Sequence, residues 1–353
     1  MRILHEDIFI NEDCSIRDAI KRLDVTAKKI LFVVNEGVLI GSITDGDIRR
    51  LILKNGDLNN NVRNVMNENP IYIYENDRNM AFEIMKEKVI ESIPVVNEKK
   101  EIMDVIFFKE ISTNVQIHKS IDLCIPVVIM AGGKGTRLYP YTKILPKPLI
   151  PIGEYSITER IINNFLQYGC REFYMTVNYK KNMIKAYFDE LNKDYEISYI
   201  EEEKFLGTGG ALYLLKEKLQ STFFVSNCDI LIEADYSKIL EYHKKNNNLI
   251  TMVTSLKNYV IPYGVITLNN EGNIKEMKEK PEYDYLVNTG VYLLEPEALD
   301  DIPENEFYHI TDLINKYINE GKKVGTYPIT ENAWLDMGEF KEMERMREKL
   351  NID

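Results

Sequence analysis

One stretch limits what this chain can fold into more than any other: Val127 to Pro151, VVIMAGGKGTRLYPYTKILPKPLIP. Val127 to Met130 is a short apolar, β-branched run of the kind that forms a buried strand, and it stops at Ala131-Gly132-Gly133-Lys134-Gly135-Thr136-Arg137. Three glycines within four positions are costly in a regular element, but they let backbone N–H groups turn toward an anion and approach it closely. A buried strand that ends in such a loop is a candidate phosphate cradle. Arg137 adds a permanently charged fork for phosphate oxygens, and Lys147, between Pro146 and Pro148, is a point charge on a stiffened backbone. The cradle is neither of the two commonest kinds. A Walker loop needs Ser or Thr after Gly-Lys, and Lys134 is followed by Gly135. A dinucleotide fingerprint through Gly133 and Gly135 would need a third glycine where Leu138 stands.

The residues Ala131 through Pro151-Ile152 resemble the opening signature of the sugar-1-phosphate nucleotidyltransferases, AGGxGTRLxPxTxxxPKPLxPI, with Thr142, Pro146, Lys147 and Pro148 in place. A local departure is Gly153-Glu154-Tyr155-Ser156-Ile157, where many members carry a proline near Ser156. The resemblance implies a doubly wound, Rossmann-like α/β sheet, and the pattern that follows agrees with it. Ser156 to Tyr168 reads as a helix stopped by Gly169. Phe173 to Asn178 reads as a strand, Met183 to Leu191 as a helix and Tyr195 to Glu201 as a strand. Alternation of this kind predicts a largely parallel sheet with ligands at the carboxyl ends of its strands.

The resemblance also implies roles for individual residues. Ala131, Gly132, Gly133, Gly135 and Thr136 would line the triphosphate, with Arg137 on its β- and γ-phosphates and Lys147 on the reacting α-phosphate. Gly207 and Thr208, in Leu206-Gly207-Thr208-Gly209-Gly210-Ala211-Leu212, would lie against the base; the alternative for the residues by themselves is a helix start. Uridylyl and thymidylyl transferases commonly carry Gln in this turn, so its absence looks closer to the guanylyl version. Phe223 to Asp229 reads as an apolar strand ending in Asp229; Asp229 and Asp336, the latter in Trp334-Leu335-Asp336-Met337-Gly338, match the family's metal aspartates, and Mg²⁺ is the cofactor implied. Gly264, Glu279 and Asn288 would bind the sugar, and Lys280, in Glu279-Lys280-Pro281, would steer the sugar phosphate. The implied reaction joins a sugar-1-phosphate to a nucleoside triphosphate, GTP favoured, and releases pyrophosphate. Within the family the chain looks most like guanylyltransferases that take glucosamine-1-phosphate toward legionaminic acid, with mannose-1-phosphate guanylyltransferases second. A silent nucleotide-sugar sensor and a Rossmann oxidoreductase are the rivals; the four intact charged positions count against the first and the missing third glycine against the second.

Residues 1 to about 120 contain an internal repeat. Val33-Val34-Asn35-Glu36 matches Val95-Val96-Asn97-Glu98 at an offset of 62, and the same offset aligns Ala19 with Ala81, Ile20 with Phe82 and Leu23 with Met85. Each copy, about 1–60 and 61–120, is expected to hold a helix and two strands, Leu31 to Asn35 with Leu39 to Ile43 in the first and Ser92 to Val96 with Ile102 to Phe107 in the second. A further helix is expected from Asp47 to Leu53. This half resembles a tandem pair of CBS domains, on the pattern Gly41-Ser42-Ile43-Thr44-Asp45-Gly46-Asp47. The resemblance implies a nucleotide effector held by Thr44 and Asp47; Thr44 or Asp45 could instead be a helix N-cap. The second copy has Met103, Ile106 and Lys109 at the matching positions, so at most one site is expected. Asn114 to Ile125 reads as the linker to a transferase domain spanning 121–353, which closes on a helix from Glu339 to Leu350.

Composition excludes several classes of function. A net charge of −12 argues against a nucleic-acid partner, which would need clustered Lys and Arg. Cys14, Cys124, Cys170 and Cys228 form no CxxC pair and read as reduced thiols, and no apolar run approaches the length of a membrane span. A cytoplasmic, homo-oligomeric enzyme is expected. The four histidines, His5, His118, His243 and His309, make no triad or HExxH motif.

Overall fold

The computed structural model describes residues 6–26, 28–88, 90–108, 122–338 and 340–349. Lys109, most of the Asn114 to Ile125 linker, His5, His118 and Glu339 lie outside the described residues. The chain divides into two compact units, 1–120 and 121–353.

In the first unit the repeat is built twice. Strands β1 (Phe9–Asn11), β2 (Ile30–Asn35) and β3 (Val38–Thr44) form a sheet with β1 parallel and β3 antiparallel to β2. Strands β4 (Ile73–Tyr74), β5 (Ser92–Val96) and β6 (Ile102–Phe107) repeat that pattern. The register slips between Val33 and Val34 in one copy and between Val95 and Val96 in the other, so even the bulge obeys the 62-residue offset. Helix Ile16–Thr26 buries Ile16, Ala19, Ile20 and Leu23, and helix Ala81–Lys88 contributes Ala81 and Met85 to a core with Ile73, Ile93, Val95 and Phe108. The copies join through their hairpin ends, where Leu39 N–H donates to Lys100 O (2.8 Å) and Ile102 N–H to Gly37 O (3.1 Å).

The second unit is organised on a seven-stranded sheet. Its strands are β7 (Val127–Met130), β10 (Glu172–Val177), β11 (Glu196–Glu201), β12 (Phe223–Asn227), β14 (Ile250–Val260), β17 (Glu282–Leu294) and β18 (Val324–Ile329). They lie in the order β11-β10-β7-β12-β17-β14-β18, and every pairing is parallel except those of β17. The minor strands are β8 (Pro151–Ile152), β9 (Tyr155–Ser156), β13 (Ile230–Ile232), β15 (Val265–Leu268), β16 (Ile274–Lys278) and β19 (Trp334–Asp336). Alternation along β7 sorts the core into two layers, Val127 and Ile129 on one face and Val128 and Met130 on the other. Helices Ile157–Leu166, Lys181–Glu190 and Tyr236–Asn246 supply the first layer, and helix Ile310–Asn319 with the Leu206 to Leu219 segment supplies the second. This is the doubly wound arrangement expected.

The strand order reverses at β7, because the chain goes on to β10 and β11 on one side and returns to β12 on the other. The loop after β7 therefore opens at a topological switch point, where strand ends diverge and leave a crevice. Several element bounds differ from the sequence reading for local reasons. The first helix of this unit starts at Ile157 because Ser156 is its N-cap, in a capping box with Glu159, and it ends at Leu166, three residues before Gly169 (φ +76°). The strand leading to Asp229 stops at Asn227, so Asp229 lies in the turn between β12 and β13.

One buried polar group makes this fold sensitive to pH. The His243 side chain is fully buried, with Nδ1 2.8 Å from Thr251 Oγ1 and Nε2 3.1 Å from Glu295 Oε1. Burial holds its pKa below 6.5 against the opposing pull of Glu295. The unfolded chain thus binds the proton first, and stability should fall as pH drops from about 6.5, with a slope of at most about 1.4 kcal/mol per pH unit from this group. Urea unfolding at pH 8 and pH 5.5 checks this: His243→Gln should flatten the difference, and identical slopes in the two proteins would rule His243 out.

Candidate active site

Four segments, the last two distant in sequence from the first two, meet at the carboxyl ends of β7 and β12. The first is the glycine loop. Gly135 adopts φ +63°, and its carbonyl accepts from the Thr142 hydroxyl (2.8 Å), which turns the chain into the short 3-10 helix Thr136–Leu138. A Cβ on Gly135 would lie 3.1 Å from Lys147 Cβ, so the loop packs directly on the second segment, the 3-10 turn Lys147–Leu149. Gly133 has open space where a side chain would project, and Gly132 has none, because Glu202 occupies it.

Lys147 forms an ion pair with Asp229, the third segment, and the two side chains are 12% and 10% exposed. Burial pulls the Lys147 pKa down, but Asp229, the Cys228 thiol and Asp336 outweigh it and hold the ammonium firmly charged. Asp336, the fourth segment, is delivered by a two-stranded ladder: β13 runs antiparallel to β19 with Ile230 opposite Asp336, and Met337 N–H donates to Asp229 O (2.9 Å). Burial and the like charge of Asp229 push the Asp336 carboxyl up, against the Gly338 N–H (2.6 Å), Lys147 and Arg137. Arg137 completes the group: a Cβ on Gly338 would stand 3.0 Å from Asp336 Oδ1 and 3.5 Å from Arg137 Nη1.

Among the described residues no cluster of three or more His, Cys, Asp or Glu is arranged for a metal. Two carboxylates forced together beside a phosphate-type loop nonetheless fit a hard divalent cation that takes its other ligands from phosphates and water. The cation would offset the burial and the repulsion by Asp229 that together raise the Asp336 pKa.

The remaining expected residues are distributed differently. Gly264 and Glu279 are neighbours, since a Cβ on Gly264 would lie 3.0 Å from Glu279 Oε2. Both flank the β15–β16 hairpin, where Glu279 and Lys280 are exposed and Lys280 has φ +45°. Asn288 donates to the Tyr292 hydroxyl (2.7 Å) and accepts from Gly290 N–H (2.9 Å). The Gly207 turn packs backbone to backbone: Gly209 and Gly210 N–H donate to Tyr308 O (2.9 Å each), and a Cβ on Gly207 (φ +80°) would lie 2.6 Å from the same oxygen. Thr208 Oγ1 accepts from Ile310 N–H (3.4 Å). Glu202, next to this turn, was missed by sequence reasoning; the available signal was a carboxylate in the first position after an expected strand.

In the first unit, Thr44 and Asp47 serve each other. Asp47 Oδ2 accepts from Thr44 N–H (2.8 Å) and Thr44 Oγ1 (2.7 Å), Oδ1 pairs with Arg50, and the two residues form a capping box on helix Asp45–Leu53. The N-cap role expected as one alternative is therefore present. Asp45 leaves Oδ1 buried without a hydrogen bond, and burial, against Lys29 and Arg49, pushes its pKa up to about 6.

Comparison with known proteins agrees with this geometry. Residues 126–351 match the model of the nucleotidyl transferase family, and residues 2–54 and 62–115 match that of the CBS domain. The chain is 34% identical over 222 residues to the bifunctional protein GlmU of Methanococcus aeolicus, covering 60% of this chain and 51% of that protein. It is 31% identical over 224 residues to mannose-1-phosphate guanyltransferase 2 of Candida glabrata, covering 61% and 62%. The chain thus spans about half to three-fifths of the length of these relatives. In structure it is similar to HddC from Yersinia pseudotuberculosis, with a TM-score of 0.51 and 22% identity over 64% of this chain and 99% of that one. With a strand-end glycine loop, a buried lysine–aspartate pair and a family match over most of its length, the chain belongs to the nucleotidyl transferase family, with tandem CBS domains at its N-terminal end.

Proposed function

We propose that this protein transfers a nucleotidyl group, GMP by preference, from a nucleoside triphosphate to a hexose-1-phosphate, with glucosamine-1-phosphate the first candidate and mannose-1-phosphate the second. The observation that carries the reading is the convergence of Arg137, Lys147, Asp229 and Asp336 beside the Gly135 turn, where the Lys147 amine is held protonated by its ion pair and is not a free nucleophile. The sugar phosphate is itself an anionic nucleophile. Its oxygen attacks the α-phosphorus, the bond to the bridging oxygen breaks, and pyrophosphate leaves with the electron pair, so no general base is required. The difficulty is holding two anions together, and fixed positive charge and pre-set backbone donors meet it.

In this reading the backbone of Ala131 to Thr136 and Arg137 bind the triphosphate tail, and Lys147 neutralises the α-phosphate. Lys147 is already desolvated and charged before substrate arrives, so little reorganisation is needed at the moment of reaction. Asp229 and Asp336 would hold Mg²⁺, which supplies charge neutralisation when bound. Gly207 and Thr208 would lie at the base, Gly264, Glu279 and Asn288 at the sugar, and Lys280 would steer the sugar phosphate. The CBS pair would bind a nucleotide effector at Thr44 and Asp47, where a ribose must compete with Arg50 for Asp47 Oδ1. A matrix of four triphosphates against several hexose-1-phosphates, read as pyrophosphate release with and without Mg²⁺, tests the reading; no release from any pair would refute it. Calorimetry of the full chain with adenine and guanine nucleotides in the absence of sugar phosphate tests the effector.

A further inference from the structure

Lys257 stands where the seven-stranded sheet narrows. The pairing of β14 with β18 ends at Ser255 opposite Ile329, and from Leu256 to Val260 β14 runs on with β17 as an arm that carries the β15–β16 hairpin. Gly264, Glu279 and Lys280 flank that hairpin. From the root of the arm the Lys257 side chain reaches off the sheet: its Nζ is 2.9 Å from Glu331 Oε1 and 5.0 Å from the centre of the Trp334 ring. Glu331 opens the 3-10 turn Glu331–Ala333, and Trp334 opens β19 directly after it. One cation therefore touches the two residues that bracket the turn leading to Asp336.

Strand β19 is too short to place Asp336 by itself. It pairs through three residues with β13, and a ladder of that length fixes register without fixing tilt. Trp334 and Asp336 are two apart and project to the same side of the strand, so a rotation of the indole carries the carboxylate with it. The indole is not anchored through its own polar atom, because Nε1 is buried without a hydrogen bond. A cation over the ring face supplies the orienting contact instead. Stability does not explain the pair. The Lys257 and Glu331 side chains are 20% and 28% exposed, a setting in which an ion pair contributes little net stability, and Glu331 keeps a second cation in Arg345 Nη1 at 3.7 Å. An apolar residue at 257 would be desolvated at lower cost, but it would give up the directed contact to the carboxylate and the ring together.

We propose that Lys257 is a positioning residue that ties the arm to the strand of Asp336, so that an arm closed on its ligand also sets the carboxylate for a cation. This rests on the transfer reading above for the ligands on the two sides, and adds the link between them. Because such a coupling is reciprocal, the cation should in turn tighten the sugar phosphate.

Trp334 is the chain's single tryptophan, so intrinsic fluorescence reads this place alone. On the full chain, Lys257→Met should shift the emission maximum and make the indole more accessible to acrylamide, whereas Lys257→Arg, which keeps a cation for the ring, should match the wild type. In pyrophosphate release, Lys257→Met should raise the KM for hexose-1-phosphate and the half-maximal Mg²⁺ concentration, each by about fivefold or more, and leave the KM for the triphosphate at saturating Mg²⁺ unchanged. Its melting temperature should move by no more than about 4 °C. Unaltered emission and quenching in Lys257→Met would overturn the assignment. So would a uniform loss of rate that follows a large fall in melting temperature, the mark of a mere brace, and so would a raised KM with an unmoved Mg²⁺ requirement, which removes the link. If Lys257→Met does not fold, Glu331→Gln should show a milder form of the same changes, and a folded Glu331→Gln protein that shows none overturns the proposal. A wild type that releases no pyrophosphate from any pair would sink the transfer reading, and the looser indole of Lys257→Met would still decide for or against Lys257.

Discussion

Lys147→Ala should lower kcat by about a hundredfold or more, a loss of roughly 3 kcal/mol of transition-state stabilisation. The ammonium is buried and paired with Asp229, so its removal has a second effect that a surface lysine would not show. Asp229 and Asp336 would be left facing each other with one neighbouring cation fewer, and an uncompensated buried charge costs the fold on the order of 3 kcal/mol. The two effects separate through Lys147→Arg, which keeps the charge and should keep the fold. Its larger planar head cannot place its charge where the Lys147 ammonium meets Asp229, so turnover should still be low. Measured by circular dichroism and by pyrophosphate release, a folded Ala variant with near-normal turnover would remove Lys147 from the mechanism.

Asp229→Asn and Asp336→Asn should each raise the Mg²⁺ concentration needed for half-maximal activity, and the double variant should be far from additive. The β13–β19 ladder makes the two carboxylates one structural unit, so removing either already disables the donor pair. The single variants should differ in stability. Asp336→Asn removes a charge that burial, and then repulsion by Asp229, disfavour, and it should not weaken the fold. Asp229→Asn leaves the Lys147 ammonium without its closest counter-ion and should lower the melting temperature. Unchanged Mg²⁺ dependence in both single variants would refute the shared ion.

How legible these features were depended on how far along the chain each one reaches. The repeat could be read because Val33-Val34-Asn35-Glu36 and Val95-Val96-Asn97-Glu98 encode the same local object, a strand, a bulge and a turn. The β7 strand and its glycine loop were legible for the same reason, since four buried apolar residues and three glycines act within one short segment. Bounds drifted where a side chain closes an element, as Ser156 does in its capping box. What could not be read were pairings between distant segments. Nothing in Trp334-Leu335-Asp336 announces Ile230-Leu231-Ile232 as its partner, so the meeting of Asp229 and Asp336 came from family resemblance rather than from pattern. Thr44 and Asp47 show the opposite problem, because their spacing satisfies a capping box and a ligand motif equally well. Glu202 was overlooked because a single carboxylate after a strand resembles any surface residue until the contact with Gly132 is seen.

The β13–β19 ladder also bears on the order in which the protein becomes active as it is made. Lys147 and Asp229 leave the ribosome with the strands they flank, and at roughly 5–20 residues per second Asp336 follows Asp229 by about 5 to 20 s. During that interval a nascent chain can close the lysine–aspartate pair while lacking the second carboxylate. Under the proposed metal role such a chain would lack half of its cation-binding pair, and the pair would be completed in one late step, when β19 pairs with β13.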